Sequence, residues 1–248
     1  MFRTSNPALN DETFSAFHAH ESSTTMTLEG TAIKSGLLVA VTAFAVTWTW
    51  NLTVAANGAN AVLWGLGGFV VGTIVAIVTV FKAEWSPVTA PIYAVAEGFV
   101  LGVVSGATNM RYPGIAFQAM SLTFATLFAL LIAYRVGIIQ ASENFKLGVV
   151  AATGAIVLVY FFSYVLRLFG MQQVMFIHQT GWIGIGFSVV VVIVAALNLV
   201  LDFDFIETGV ERGAPKFMEW YAAFGLLVTL VWLYIEILSL LRKLADRK

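Results

Sequence analysis

Seven runs of apolar residues, at 36–54, 61–81, 92–110, 115–134, 147–169, 182–201 and 217–241, follow one another with little polar sequence between them. Each is close to the roughly 20 residues an α-helix needs to cross a hydrocarbon core of about 30 Å. The pattern predicts an all-α, polytopic integral membrane protein with seven transmembrane helices in one domain. The intervening stretches, at 55–60, 82–90, 111–114, 135–146, 170–181 and 202–216, carry Gly, Pro, Asn or charge, as turns do. None is long enough to separate two domains, so the expected organisation is a polar tail at 1–35, a membrane domain at 36–241 and a short basic tail at 242–248. No fixed-period or inverted repeat is visible, which speaks against transporter architectures built from such repeats.

Composition strengthens this reading. With 59% hydrophobic and 11% charged residues and a mean hydropathy of +0.88, the chain is too apolar for a water-facing surface. Its net charge is −1, and its 13 Lys and Arg are scattered between apolar runs, which excludes a nucleic-acid partner. Without cysteine there is no disulfide, thiol catalysis or thiolate metal site, and no cofactor is expected. Of the histidines, His18 and His20 lie in the polar tail and His178 in a loop. No early apolar stretch with a cleavage site precedes the first segment, which is expected to act as an uncleaved anchor. Seven full spans divide the cations almost evenly between the two faces, whereas a re-entrant last segment would move the C-terminal cations to the side of the N-terminus. The expectation is a cytoplasmic N-terminus, with the side of the C-terminus open.

Small residues recur at helical spacing. Gly68 and Gly72 are four apart, as are Gly98, Gly102 and Gly106, which predicts close helix packing. The sequon Asn51-Leu52-Thr53 lies too near the membrane to be an acceptor. Ionisable residues inside membrane segments cost about 3 kcal/mol each on insertion scales, so each needs a reason. Glu97 stands beside the glycine face of the third segment and is a candidate for the cation pathway. Glu219, at the water-facing start of the last segment, reads as ordinary complementation of the helix dipole. Arg167 can snorkel to the headgroups.

The sixth segment ends in Asp202-Phe203-Asp204-Phe205-Ile206-Glu207. Asp202 and Asp204 are about 200° apart on a helix, so only one can face the bundle. Asp202, with Asn198 one turn before it, is the inward choice. Asp204, Glu207 and Glu211 form one acidic stripe, a candidate cation entrance or a solvated face. Glu236 has no basic residue within four positions and must find a partner on another helix, stay protonated or face water. Two carboxyls brought together in low dielectric share a proton and act as a pH switch; ionised, they make a hard-oxygen site suited to Ca²⁺.

Enzyme readings find little support. A metalloprotease needs His-Glu-x-x-His on a helix, which is absent. Ser188 lacks the second Gly and the His partner of a serine hydrolase, and the Gly-x-Gly-Asp pattern of intramembrane aspartyl proteases is missing.

Two C-terminal stretches, Leu201-Asp202-Phe203-Asp204-Phe205-Ile206 and Leu233-Tyr234-Ile235-Glu236-Ile237-Leu238, resemble respectively the end of helix six and helix seven of the Bax inhibitor-1 (TMBIM) family. Ser5-Asn6-Pro7-Ala8-Leu9, Met26-Thr27-Leu28-Glu29-Gly30-Thr31, Tyr112-Pro113-Gly114-Ile115 and Gly148-Val149-Val150-Ala151-Ala152-Thr153 are similar to one bacterial branch of it. The resemblance covers essentially the whole chain. It implies a seven-helix fold with the last helix central, and a pH-sensitive calcium leak controlled by a carboxyl pair, here Asp202 and Glu236. Glu236 stands where the family has aspartate, and the pair is further apart in sequence than in the family. Drawn as straight antiparallel helices, the two would not meet, so pairing requires a deeper or broken last helix.

The expected function is therefore a passive, proton-gated cation leak with Ca²⁺ as permeant ion, Asp202 and Glu236 as sensor and gate, and Asp204, Glu207 and Glu97 along the entrance or pathway. A non-conducting regulator that binds other membrane proteins and a proton-coupled transporter remain the alternatives. The expected partners are the lipid bilayer, Ca²⁺, protons and other membrane proteins, and the expected location is a bacterial plasma membrane.

Overall fold

The computed structural model describes residues 25–55, 58–169 and 181–247. The three histidines and the Ser5–Leu9 motif lie outside them. The described residues form a bundle of seven long helices: α1 (Leu28–Val54), α2 (Gly58–Phe81), α3 (Ser86–Arg111), α4 (Ile115–Arg135), α5 (Glu143–Leu168), α6 (Trp182–Glu211) and α7 (Met218–Ala245). A 3-10 turn, Ala83–Trp85, joins α2 to α3. All seven are long and apolar enough to cross a membrane, and the chain is an all-α polytopic membrane protein.

Several helices begin or end outside the apolar runs, for local reasons. α1 starts at Leu28, not at residue 36, because the Thr27 hydroxyl caps it by accepting from the Gly30 N–H at 3.0 Å. The polar residues that follow fold their hydroxyls onto carbonyls one turn back, Thr31 onto Thr27 and Ser35 onto Thr31. Pro87 belongs to the first turn of α3, where a missing N–H costs nothing. Gly114, at φ +84°, turns the chain into α4 in a left-handed conformation, and its N–H donates to Asn109 at 2.7 Å. Most consequential is α6, which runs ten residues past Leu201 to Glu211. Asp202 therefore lies well inside the helix instead of closing it.

α7 occupies the middle, packing against α6, α1, α4 and α3. On one side Leu226, Leu230 and Leu233 meet Ile115 and Ala119 of α4 and Ala195, Leu199 and Phe203 of α6. On another, Phe224, Leu227 and Val231 meet Leu38 of α1 and Tyr93 and Leu101 of α3. Half of its most apolar stretch is buried, against 17% for the peripheral α2 and α5. Side chains such as Phe44, Phe69, Phe81 and Ile183 point outward, an apolar surface that only lipid can cover.

The glycine face of α3 lies against α1. A Cβ on Gly98 would sit 2.7 Å from the Thr42 carbonyl oxygen, while Gly102 and Gly106 face Thr49 and Thr53. These glycines are packing surface and not a pore lining.

α1 and α7 start on the same face of the bundle, joined by the Met26 N–H donating to the Ala214 carbonyl at 2.7 Å. With seven crossings, α7 ends on the opposite face, so Arg242, Lys243 and Arg247 lie across the membrane from the start of α1. The re-entrant alternative is thereby set aside.

Candidate functional site

A column of polar and ionisable side chains runs along the seam where α5, α6 and α7 meet. On α7 the spacing is seven residues: Thr229, Glu236 and Lys243. Seven residues turn a helix by about 700°, within roughly 20° of a whole number of turns, so the three share one face and rise about 10.5 Å per step. α6 answers with Asp202, Ala195 and Ser188 at the same spacing, running the other way. α5 adds Thr153 and Tyr160, again seven apart.

From the face where α1 starts, the column begins at Asp204, whose carboxylate receives the Lys146 ammonium of α5 at 2.8 Å. Glu207, one turn on, accepts from the Tyr134 hydroxyl at 2.5 Å and lines a polar pocket of about 230 Å³ with Arg135 and Gln140. Deeper lies Asp202, with Thr229 against its carboxyl; its Oδ2 is buried and has no hydrogen-bond donor. Asn198, one turn away, donates to the Thr153 hydroxyl at 2.9 Å. Beyond an apolar stretch comes Glu236, only 6% exposed, which accepts from Tyr160 at 3.0 Å and from Trp232 at 3.2 Å. The far end is Lys243, whose ammonium donates to Ser188 at 2.7 Å and to the Gly184 carbonyl at 3.2 Å. From Thr229 to Lys243 the column covers about 21 Å of helix axis.

Asp202 and Glu236 do not form a pair. Asp202 meets α7 at Thr229, two turns before Glu236, so the carboxyls sit at different depths of one column, about 10 Å apart along the axis. The cause is that α7 is one unbroken helix that starts at Met218, at the membrane face, which leaves Glu236 far past the level of Asp202. Between the two levels Leu199 and Ala195 of α6 close against Leu230 and Leu233 of α7. The inward choice of Asp202 over Asp204 holds. Glu236 finds its cross-helix partner in Tyr160.

Other candidates fall elsewhere. Glu97 is half-buried and faces Gly72 of α2, on the far side of the bundle from the column. Arg167 is exposed, as a snorkelling side chain should be. Ser188 does contact a base-forming residue, Lys243, but both are buried beyond the reach of a substrate, and the ammonium is occupied as a donor. No group of three or more His, Asp or Glu that could hold a metal ion occurs among the described residues.

Glu219 departs most from expectation. It is fully buried, accepting from the Thr27 N–H and hydroxyl at 2.8 Å each and from Lys216 at 2.9 Å, and pairing with Lys34. A side chain at Gly30 would collide with this carboxylate. Its role is to fasten the start of α1 to the start of α7, with both helix N-termini turned towards one negative charge. At the opposite face Tyr112 donates to Asp246, and that hydrogen bond raises the phenol above its ordinary pKa.

Compared with known proteins, the chain matches the family model described as Bax inhibitor 1 like over residues 6–246. No curated protein and no solved structure matches it.

Proposed function

The chain belongs to the Bax inhibitor 1 like family, and from that membership together with the α5–α6–α7 column we propose that it is a passive, proton-sensitive cation leak with Ca²⁺ as the permeant ion. The observation that carries this is the alignment of Asp202, Asn198, Thr153, Tyr160 and Glu236 along one seam through the bundle. Carboxylate, amide and hydroxyl oxygens are the ligands a hard cation takes, and ionisable groups at membrane depth, being expensive, mark ion and proton paths by default. Asp204 and Glu207 supply negative charge at the entrance beside the polar pocket.

Asp202 and Glu236 act here as two stations and not as one shared-proton pair. Each changes the charge of the column by one when it takes up a proton, so protons and cations compete for the same oxygens. The apolar closure between them, with Leu199 and Leu233 at its centre, is the gate, a constriction that stays dry until α6 and α7 separate. Glu97 stands outside this path.

The test is Ca²⁺ flux into dye-loaded liposomes holding the purified protein alone, stepped from about pH 8 to about pH 6. Flux that depends on pH, flattened by Asp202→Asn or Glu236→Gln, supports the leak. No flux above empty liposomes at any pH, from folded protein, sinks it and favours a regulator of other membrane proteins.

A further inference from the structure

A second feature of the bundle is independent of the column and of the leak. A cleft of about 360 Å³ opens between α1 and α4, backed by α3 and α7. Its volume falls at the lower end of the roughly 300–1,000 Å³ of ligand pockets. The walls are almost wholly apolar, with Ala43 on α1, Met120 on α4 and Leu227 on α7. On its floor, Ser105 and Tyr234 satisfy each other by a 2.6 Å hydrogen bond, which leaves no polar demand on an occupant.

The cleft has a direction. On α1 its lining runs from Val39 to Trp50, about 16 Å of helix, which is half of a roughly 30 Å hydrocarbon core. It therefore spans one leaflet, from the bilayer midplane to the face where α1 ends. At that outer end the cleft is lined by Asn109 and by Trp50, near headgroup level, where tryptophan is favoured. Just beyond, Arg111 is 76% exposed, its guanidinium over the Tyr112 ring and 3.6 Å from Asp246.

We propose that this cleft is a binding site for one phospholipid of that leaflet, an acyl chain lying between α1 and α4 and the phosphate meeting Arg111. An apolar slot of one leaflet's depth, open sideways to hydrocarbon, matches a lipid in length and polarity, and Arg111, exposed two residues past the last α3 residue of the lining, would exchange Asp246 for the phosphate. A volume of about 360 Å³ over about 16 Å of length leaves too little cross-section for a partner helix about 10 Å across, and a soluble ligand would have to enter through the bilayer.

Native mass spectrometry of the purified full-length protein in detergent, titrated with phosphatidylglycerol and separately with diacylglycerol, tests this. Wild type is expected to retain one phosphatidylglycerol and to bind diacylglycerol more weakly. Ala43→Trp fills the slot and weakens phosphatidylglycerol binding by about tenfold or more, equivalent to about 1.4 kcal/mol. Ala155→Trp, on the exposed outer side of α5, leaves it unchanged. Met120→Trp fills the cleft from its opposite wall and decides the matter should Ala43→Trp not fold, as judged by circular dichroism and a monodisperse elution profile. Arg111→Gln removes the preference for phosphatidylglycerol over diacylglycerol. Equal binding by wild type and a folded slot-filling variant overturns the site. Equal binding of the two lipids by wild type overturns the phosphate contact.

Discussion

Glu219 offers the sharpest test of how the bundle is fastened. Its carboxylate is fully buried and takes four donors, two from Thr27 and one each from Lys34 and Lys216. Hydrogen bonds to a charged group contribute about 1.5–3 kcal/mol each, and removing one partner of a buried ion pair costs about 3–5 kcal/mol. Glu219→Ala leaves Lys34, only 17% exposed, without its counter-charge, and strands the Thr27 N–H. A loss of about 3–5 kcal/mol is expected. Glu219→Gln keeps the shape and one acceptor but not the charge, and should cost about half as much. Lys216→Ala should cost under about 1 kcal/mol, because that ammonium is 43% exposed and surface pairs contribute little. Equilibrium unfolding in lipid–detergent bicelles, followed by tryptophan fluorescence, measures all three. A Glu219→Ala protein within about 1 kcal/mol of wild type would refute the fastening. So would additive losses in a Thr27→Ala, Glu219→Ala cycle, since residues in direct contact should couple by about 0.5–3 kcal/mol.

Four further outcomes follow from the column and the packing. Since Asp202 and Glu236 sit about 10 Å apart along the axis, the effects of Asp202→Asn and Glu236→Gln on the pH profile of Ca²⁺ flux should combine nearly additively; a double variant identical to either single one would restore the shared-proton pair. Leu233→Ser, at the dry closure, should raise flux at all pH values, and unchanged or lower flux from folded protein would move the gate elsewhere. Tyr160→Phe removes a donor to Glu236 while keeping the ring and should shift the pH midpoint without abolishing flux, which a midpoint at the wild-type value would contradict. Gly98→Leu should prevent stable assembly, because the Thr42 carbonyl stands 2.7 Å from where the new Cβ must go; normal yield and thermal stability would show that α1 and α3 do not pack as described.

Much of this was legible in the sequence. A helix in lipid satisfies its own backbone within one segment, so seven apolar runs were enough to give seven helices, and the cost of buried charge marked Asp202 and Glu236 among six candidate carboxyls, the family resemblance implying these two as the pair. The need of Glu236 for a partner on another helix was readable from its apolar neighbours. Lys243, Thr229 and Tyr160 belong to no motif, and their only signal in the sequence is the seven-residue spacing that sets Thr229 and Lys243 either side of Glu236 and Tyr160 after Thr153. Helix depth and facing were decided only by the tertiary structure. In a membrane both the lipid-facing and the core-facing sides of a helix are apolar, so hydrophobic periodicity loses the contrast that orients helices in water. Nor does a one-dimensional pattern carry the axial offset between neighbours, which holds Asp202 level with Thr229 and not with Glu236. The contact between Glu219 and Thr27, 192 residues apart, is of the same kind: each residue taken alone reads as ordinary helix-end chemistry, and only the packing of α1 beside α7 makes the two one structure.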